Sequence, residues 1–360
     1  MEFMIELSDI ARARLRNQRL THPMAGKPAD VVAWLGAVQA QDYGATRWNV
    51  GMRLRGATDA SVEKAFNDGA ILRTHVLRPT WHFVTPTDIR WMLALTAPRV
   101  HALCAPRYRR FGIDQAVFKR CDAVLTKALR GGNHLTREEL HALFEKAGIA
   151  TRGESLMSHL LMRAELDQVI CSGPRKGKQF TYGLLDDRAP RAQTMHRADA
   201  LAELARRFFQ SRGPATVQDF ARWSGLTVAD ATRGLSAVES ALERETIGRR
   251  TLWFPSARRT RGTDLPTAHL LGIYDEYISG YKDRGEIIDR KHGNRLFAMG
   301  AAPTRIVVIN GRVIGTWSRA VGKRDTHLTW DLFVRVSPAE RKALEAARGR
   351  YLEFVGTPVA

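Results

Sequence analysis

One arrangement of secondary structure recurs along this 360-residue chain and restricts the folds that it can adopt. The segments LTREELHALFEKAGI (135–149) and ATVQDFARWSGL (215–226) lie about 80 residues apart, and each combines a helix cap, apolar residues at helical spacing and a turn glycine. Each is followed by another helical pattern and then by two short apolar strands. Three helices followed by a strand pair is the order of a winged helix, so the repeat predicts tandem winged-helix units.

The same order appears in the N-terminal part of the chain. Ser8 caps a predicted helix through Leu20, Pro28 opens a helix through Val38, and Ser61 caps a third; ILRTHVLRPTWHFVT then alternates like two strands. The second unit places its strands around a tip at 173–177, and the third ends with strands in RETIGRRTLWFP. The predicted units therefore cover residues 1–100, 101–190 and 191–264.

Residues 265–360 have a different pattern, which predicts a β-rich domain. Asn310-Gly311 lies between alternating apolar runs, a strong hairpin signal, and THLTWDLFVRV adds another strand. Ser337 before Pro338, with Glu340 three residues after the serine, predicts the start of a closing helix. The predicted fold class is therefore α+β and helix-rich, with three tandem winged-helix units and a small, partly closed β-barrel-like domain.

The chain is strongly basic, with 56 Lys and Arg against 37 Asp and Glu and a net charge of +19. Such a balance favours a polyanionic partner, although it also occurs in arginine-rich proteomes. Six basic residues and one acid lie between Arg99 and Arg120, and the same numbers lie between Arg244 and Arg261. Wing tips and helix ends usually contact phosphates. The alternative is a solvated surface. The candidate DNA contacts are Arg47, Arg109, Arg110, Arg175, Lys176, Lys178, Arg249, Arg250, Arg258 and Arg259.

The remaining composition argues against several classes of protein. Cys104, Cys121 and Cys171 lie far apart, without the spacing of a zinc site or a disulfide scaffold. The N-terminus lacks the pattern of a signal peptide, and no apolar window is long enough to cross a membrane. These features predict a cytoplasmic protein without metal or other cofactor, which associates with the nucleoid when bound to DNA.

The segment AVQAQDYGATRWNVGMRL (37–54) carries the first candidate for catalysis. Gln39 and Gln41 lie two residues apart, and two amide carbonyl oxygens can hold one water molecule and present it to an electrophile. In a basic protein this arrangement suggests hydrolysis on a nucleic acid. The alternative interpretation is that the glutamines only mark the end of a helix.

These stretches carry a resemblance that spans nearly the whole chain. LGAVQAQDYGATRWNVGMRL, ILRTHVLRPTWHFVTPTDIRWMLALTAPR, IYDEYISGYKDR and VINGRVIGTWSR occur in the order found in the AlkZ-like (YcaQ-related) family, which the chain resembles. The resemblance implies three tandem winged-helix units and a C-terminal β-barrel around a DNA channel. It places the family's Gln-x-Gln motif on Gln39 and Gln41. Ala40, between them, is smaller than the bulky residue of the family pattern.

The resemblance also implies an activity. Characterised relatives excise N-alkylated purines from DNA, and some unhook interstrand crosslinks. The expected function is that of a monofunctional DNA glycosylase in base-excision repair, because no lysine nucleophile lies near Gln39 in sequence. The expected partner is double-stranded DNA containing alkylated bases, bound by a monomer.

Three further residues are candidates for supporting roles. Asp42 could add negative potential or accept a proton, or it could cap a helix. His82, with Trp48 and Trp81, could pack near a lesion or lie in the interior. Asp275, next to Glu276 in YDEYISGYKDR, suggests acid–base or metal chemistry, against the alternative of a charged turn that stabilises a domain junction.

Two alternatives to a glycosylase follow from the sequence. A non-catalytic winged-helix protein, such as a transcriptional regulator, would usually be a dimer with one unit per subunit. This chain instead has three predicted units and no evident dimerisation heptad. A nuclease would need clustered carboxylates for metal ions, and only the segment 275–283 offers them.

Overall fold

The computed structural model describes residues 7–151, 156–256, 265–297, 304–321 and 326–356. The chain divides into two compact units. The first unit comprises Met1–Glu63, Ala202–Trp223 and Val228–Ala360, and the second comprises Lys64–Leu201 with Ser224–Thr227. Both Gln39 and Gln41 belong to the first unit.

The N-terminal elements start and end at recognisable local signals. The strand pair predicted in ILRTHVLRPTWHFVT is confirmed, since residues 72–75 pair antiparallel with residues 81–84. The predicted cap at Ser61 is wrong, because Ser61 lies inside the helix. The hydroxyl of Thr58 accepts from the backbone N–H of Ser61 at the start of this helix. The elements in this part are α1 (Leu7–Asn17), α2 (Pro28–Leu35), β1 (Val38–Gln39), α3 (Tyr43–Gly51), α4 (Asp59–Asn67), β2 (Leu72–His75), β3 (Trp81–Val84) and α5 (Ile89–Arg110).

The middle of the chain repeats the order of helix, strand, two helices and two strands. Thr136 and Glu139 form the predicted capping box. The elements are α6 (Gln115–Leu129), β4 (Leu135–Thr136), α7 (Arg137–Lys146), α8 (Leu156–Leu166), β5 (Ile170–Ser172), β6 (Thr181–Leu184), α9 (Leu185–Arg188), α10 (Arg197–Arg212), α11 (Val217–Ser224), α12 (Val228–Ser236), β7 (Leu242–Ile247) and β8 (Arg250–Pro255). Strands β4, β6 and β5 form one sheet in that order, and β7 pairs with β8.

The C-terminal part contains a four-stranded antiparallel sheet. Asn310 (φ 51°) and Gly311 (φ 84°) both adopt positive φ at the predicted hairpin turn, as a type I′ turn requires. The Ser337–Glu340 capping box is also confirmed. The elements are β9 (Ala268–Leu271), α13 (Glu276–Ser279), α14 (Arg290–Phe297), β10 (Ile306–Ile309), β11 (Arg312–Val321), β12 (Thr326–Leu332) and α15 (Pro338–Val355).

The predicted barrel-like closure of this sheet is not observed among the described residues. The strand order is β12-β11-β10-β9, so β9 and β12 are the two edges of an open sheet. The architecture is therefore mixed α and β, and rich in helix. Within the described ranges, every helix is too short or too polar to cross a bilayer.

An aromatic cluster packs α15 against the sheet and α3. The Tyr351 ring lies 5.0 Å from the Trp48 ring and 5.1 Å from the Trp317 ring, measured between centroids. Phe354 approaches Trp48 at 5.1 Å. Edge-to-face contacts of this kind add to the hydrophobic burial of each ring. The cluster fixes α3, the helix that follows the two glutamines, in the core of the first unit.

His269 makes the stability of the first unit depend on pH. Burial, together with the nearby charges of Arg350 and Arg53, lowers the pKa of this β9 side chain to about 3. The unfolded chain takes up this proton near pH 6.5, so it binds more protons than the folded chain between pH 6.5 and about 3. The free energy of unfolding should therefore fall below pH 6.5, by about 1.4 kcal/mol per pH unit.

Urea unfolding at pH 7 and pH 5 tests this pH dependence. Wild type is expected to lose about 2 kcal/mol more than His269→Leu over that interval. Leucine suits the position, because Nε2 of His269 has no hydrogen-bond partner within the described parts of the chain. Histidines that titrate in both proteins cancel in this comparison. Equal losses in the two proteins would contradict the assignment.

Candidate active site

Gln39 and Gln41 lie in the segment between α2 and α3, and not at the end of a helix. Helix α2 ends at Leu35, and Gly36 adopts a positive φ of 76° that turns the chain into β1. The interpretation of the glutamines as a helix end is therefore wrong. Gln39 is 7% exposed and Ala40 is fully buried, whereas Gln41 is exposed. Ala40 therefore packs into the interior and does not face solvent between the glutamines.

Hydrogen bonds from α3 hold the loop that joins the two glutamines to this helix. The hydroxyl of Thr46 lies 3.0 Å from the carbonyl oxygen of Gln39 and 2.7 Å from that of Asp42, and donates to this pair. The carboxylate of Asp42 accepts from the backbone N–H of Ala45 at 2.9 Å and caps the helix. The capping role predicted for Asp42 is confirmed. Both ends of the Gln39–Asp42 loop are thus tied to one buried threonine.

A buried carboxylate holds Gln39 from the other side. Oε1 of Glu276 accepts from the backbone N–H of Gln39 at 2.9 Å, and its Oε2 accepts from Nη2 of Arg212 at 2.7 Å and from Nε1 of Trp223 at 2.9 Å. The side chains of Glu276 and Arg212 are fully buried. Arg212 also donates to the carbonyl oxygens of Leu35 and Ala37, at 2.7 and 3.2 Å. One ion pair therefore fixes the whole segment that leads to Gln39.

Asp275 binds Arg53, which follows the C-terminal end of α3 and donates to the carbonyl oxygen of Asn49 in that helix. Its two carboxylate oxygens accept from Nη1 and Nη2 of Arg53 at 2.7 and 2.8 Å, and both side chains are fully buried. Planar, bidentate pairs of this kind are strong and directional. Asp275 also caps α13 by accepting from the backbone N–H of Tyr277. The carboxylates of Asp275 and Glu276 are thus bound to arginines, which does not fit metal coordination or acid–base chemistry.

Helix α3 approaches the 270–273 segment so closely that a glycine is required there. The side chain of Asn49 accepts from the N–H of Gly272 and donates to the carbonyl oxygen of Ile273, both at 3.1 Å. A Cβ atom at position 272 would lie 2.5 Å from Oδ1 of Asn49. Nε1 of Trp48 donates to the carbonyl oxygen of Leu270 at 2.6 Å. Trp48 is therefore a core residue and not a side chain that faces a lesion.

His82 lies in the second unit and does not reach solvent. Its side chain is fully buried, with Nδ1 2.9 Å from the carbonyl oxygen of Thr80. Trp81 is half-buried, and its ring stacks against the guanidinium of Arg73, which lies 4.1 Å from the ring centroid. His82 therefore fits the alternative prediction of an interior residue. One face of the Trp81 ring is covered by the guanidinium of Arg73.

Three of the predicted DNA-contacting cations are paired with carboxylates. Nη1 of Arg47 lies 3.1 Å from both Asp59 and Glu63. Lys176 bonds Glu139 at 2.7 Å, and this bond together with the hydrogen bonds of Thr136 lowers the pKa of that carboxyl to about 2. Arg250 bonds Asp283 at 3.0 Å and also pairs with Glu286. A phosphate would have to compete with a carboxylate at each of these positions.

The other predicted cations are distributed over both units. Arg175 stacks on Phe180, with 4.3 Å between its guanidinium carbon and the ring centroid. Arg109, Arg110, Lys178 and Arg249 are exposed, the first two at the C-terminal end of α5, where a helix dipole also favours positive charge. Arg258 and Arg259 lie outside the described residues.

The sequence did not identify several residues that hold this loop. Thr46 bonds the Gln39–Asp42 loop, Arg53 bonds the carbonyl oxygen of Asn49 in α3, and Arg212 bonds the main chain that leads to Gln39. None of the three belongs to a motif with catalytic spacing. Glu276 stood beside Asp275 in YDEYISGYKDR, where the pair suggested chemistry. The signal that could have found them is their type, since a buried arginine needs a buried carboxylate.

Comparisons with known proteins agree on one relationship. A family model described as DNA glycosylase AlkZ-like matches residues 32–354. A curated protein of Streptomyces sahachiroi, named interstrand DNA cross-link repair glycosylase, is 25% identical over 320 residues, which cover 84% of this chain and 85% of that protein. The solved structure of Streptomyces sahachiroi DNA glycosylase AlkZ superimposes with a TM-score of 0.81 at 21% identity, covering 99% of this chain and 98% of that one. The superposition shows a shared fold.

Proposed function

Because this chain belongs to the AlkZ-like DNA glycosylase family, we propose that it hydrolyses the N-glycosidic bond of N-alkylated purines in double-stranded DNA, with Gln39 and Gln41 as its catalytic pair. The observation that carries this proposal is the fixed loop that bears them. Thr46 and Glu276 hold the main chain of Gln39 on both sides, while Gln41 remains exposed to solvent. A rigid main chain with an accessible amide is what water positioning needs.

The chemistry of an alkylated purine matches what two amides can supply. Alkylation at N7 or N3 places positive charge on the base, so the base leaves as a neutral molecule and needs little help from an acid. The sugar then develops oxocarbenium character and must be captured by water. Two carbonyl dipoles fixed before the reaction can stabilise that charge and orient the water. The absence of a lysine between Gln39 and Trp48 supports a monofunctional enzyme.

We further propose that the chain uses three tandem winged-helix units to bind the duplex as a monomer. The order helix, strand, two helices and two strands occurs in α2 to β3 and again in α6 to β6. In the third part α10, α11 and α12 precede the β7–β8 hairpin, and Ala215 bridges to Trp253 in place of the first strand. The exposed cations Lys178 and Arg249 lie in the β5–β6 and β7–β8 loops, at wing positions that usually meet phosphates.

The relative's name suggests a second substrate class. The Streptomyces sahachiroi protein is named for repair of interstrand DNA crosslinks. We include such crosslinks among the proposed substrates, since a crosslinked purine carries the same positive charge and needs the same bond cleaved. The alternative of a non-catalytic regulator is not favoured, because the family is one of DNA glycosylases.

The proposed reaction is tested with a duplex that bears a single N7-methylguanine. Wild-type protein is expected to release the methylated base and leave an abasic site, scored by mild alkaline cleavage. In a second assay, wild-type protein should unhook a duplex with a defined N7-guanine interstrand crosslink, so that the duplex separates into single strands on denaturing gels. Lack of release from both duplexes, by protein that binds each of them, would contradict the proposed substrate class.

The Asp42 carboxylate offers a separate test of the mechanism. Asparagine caps helices as well as aspartate does, so Asp42→Asn should keep the free energy of unfolding within about 0.5 kcal/mol and leave base release unchanged. Asp42→Ala should lower the free energy of unfolding by about 1 kcal/mol. Thermal unfolding and single-turnover assays measure the two quantities. A slow but fully stable Asp42→Asn protein would show that the carboxylate takes part in the reaction.

A further inference from the structure

Arg319 lies beside the loop that bears the two glutamines. In β11 the alternate residues Val313, Gly315 and Trp317 are buried, and Arg319 is the next residue on that face. It is half-buried, at the end of the aromatic cluster, where Nη1 donates to the hydroxyl of Tyr351. The inner face of the sheet thus changes from apolar to cationic at this position.

The guanidinium of Arg319 reaches the first turn of α3. A Cβ atom at Gly44 would lie 3.4 Å from Nη2 of Arg319 and 3.7 Å from Oδ1 of Asp42. Gly44 has no side chain, so the guanidinium approaches the main chain three residues after Gln41.

The positive charge of Arg319 is less compensated than that of its neighbour Arg47. Arg47 has two carboxylates at 3.1 Å. In the described part of the chain Arg319 forms no ion pair, and Asp59 acts on it only at longer range. A guanidinium has five donors, and Tyr351 occupies only part of that capacity. Arg319 therefore keeps donors and charge for an external anion.

We propose that Arg319 binds a phosphodiester of the DNA strand that carries the target nucleotide. The inference rests on the proposed function and names the substrate group held next to the site. Guanidinium groups bind phosphate with two parallel hydrogen bonds, which fixes orientation as well as position. The phosphates of a nucleotide are one sugar away from its glycosidic bond. A phosphate held beside Gly44 thus places that sugar next to Gln41.

The salt dependence of DNA binding tests this contact without requiring catalysis. Each neutralised phosphate contributes a slope of about −0.9 to log K against log salt concentration on duplex DNA. For Arg319→Gln, the slope for a duplex bearing N7-methylguanine should be about 0.9 less steep than for wild type. Affinity at 0.1 M salt should fall about eightfold, and the difference should vanish towards 1 M salt. Arg319→Lys keeps the charge and should restore most of the slope.

Lys342→Gln is the charge-matched control. Lys342 is exposed on α15, half a turn away from the face that carries Tyr351, and its removal changes net charge by the same amount. Its slope should equal that of wild type. Equal slopes for Arg319→Gln and wild type would overturn the proposal. The same holds if the slope becomes equally less steep in Arg319→Gln and in Lys342→Gln. A decrease in Arg319→Lys as large as in Arg319→Gln would assign Arg319 a structural role with Tyr351.

A modified substrate keeps the proposal testable if Arg319→Gln does not fold. Methylphosphonate linkages replace one phosphate charge at a time on either side of the N7-methylguanine. With wild-type protein, one flanking linkage should weaken binding about eightfold at 0.1 M salt. If Arg319→Gln folds, that penalty should disappear in the variant. No flanking linkage with such an effect on wild type would overturn the proposal. Because binding is measured, failure of base release leaves this result interpretable.

Discussion

Replacing Gln39 and Gln41 together with alanine is expected to abolish detectable release of N7-methylguanine while leaving affinity for the lesion duplex within about twofold. Removal of one preorganised electrostatic group typically lowers the chemical rate by about 10²–10³-fold, and two groups that hold one water act as a unit. Affinity should persist, because it arises mainly from phosphate contacts elsewhere on the chain. Single-turnover base release and duplex binding of the same preparations measure the two quantities.

The exposed glutamine Gln115, at the start of α6, provides a matched control. Gln115→Ala should release the base at the wild-type rate. The single variants Gln39→Ala and Gln41→Ala should each be slow, and the double variant should be little slower than the more impaired of them. Joint loss of binding and release would assign the glutamines to folding or DNA binding. Unchanged release by the double variant would place the chemistry on other residues.

Glu276→Gln is expected to impair both stability and base release. The amide can still accept the hydrogen bond from Gln39, but it leaves the buried charge of Arg212 without its partner. Breaking a buried ion pair on one side usually costs about 3–5 kcal/mol. The Gln39 segment should then shift, and a displacement of about 1 Å at a reacting group can lower the rate about 10²-fold. Urea unfolding and single-turnover release at a temperature where the variant is folded measure these effects.

Two acidic neighbours of Glu276 separate these effects. Asp283→Asn removes a half-exposed ion pair with Arg250 and should change the free energy of unfolding by about 1 kcal/mol or less. Asp275→Asn breaks the equally buried pair with Arg53, so it should match Glu276→Gln in stability. Its effect on the rate should be smaller, because Asp275 does not contact Gln39. If folded Glu276→Gln protein releases the base at the wild-type rate, Glu276 does not position Gln39.

The local elements of the fold could be predicted because their causes lie within a few residues. The capping box of Thr136 and Glu139 depends on residues three apart, and the turn at Asn310-Gly311 depends on two residues that tolerate positive φ. The helix-end interpretation of Gln39 failed for a related reason. Gly36 ends α2 earlier than the apolar pattern, and periodicity alone does not separate a short buried strand from a helix end.

The roles of the charged residues could not be predicted, because they depend on partners that are distant in sequence. Arg47 appeared as a candidate phosphate contact, yet Asp59 and Glu63 take up its charge. Asp275 appeared as a candidate acid or base, yet Arg53, 222 residues away, binds both of its oxygens. The sequence shows which side chains carry charge. Which opposite charge lies nearest to each of them is decided by tertiary packing.

The sequence by itself determined the capping boxes at Thr136 and Ser337, the turn at Asn310-Gly311 and the two-residue spacing of Gln39 and Gln41, since each rests on short-range geometry. The tertiary structure decided which side chains hold that pair in place. Glu276 bonds Gln39 although the two residues are 237 positions apart in sequence. Arg319 of β11 approaches Gly44 of α3. The Arg319 contact exists because burial of the aromatic cluster brings α3, β11 and α15 together. Hydrophobic burial does not depend on how far apart residues are in sequence.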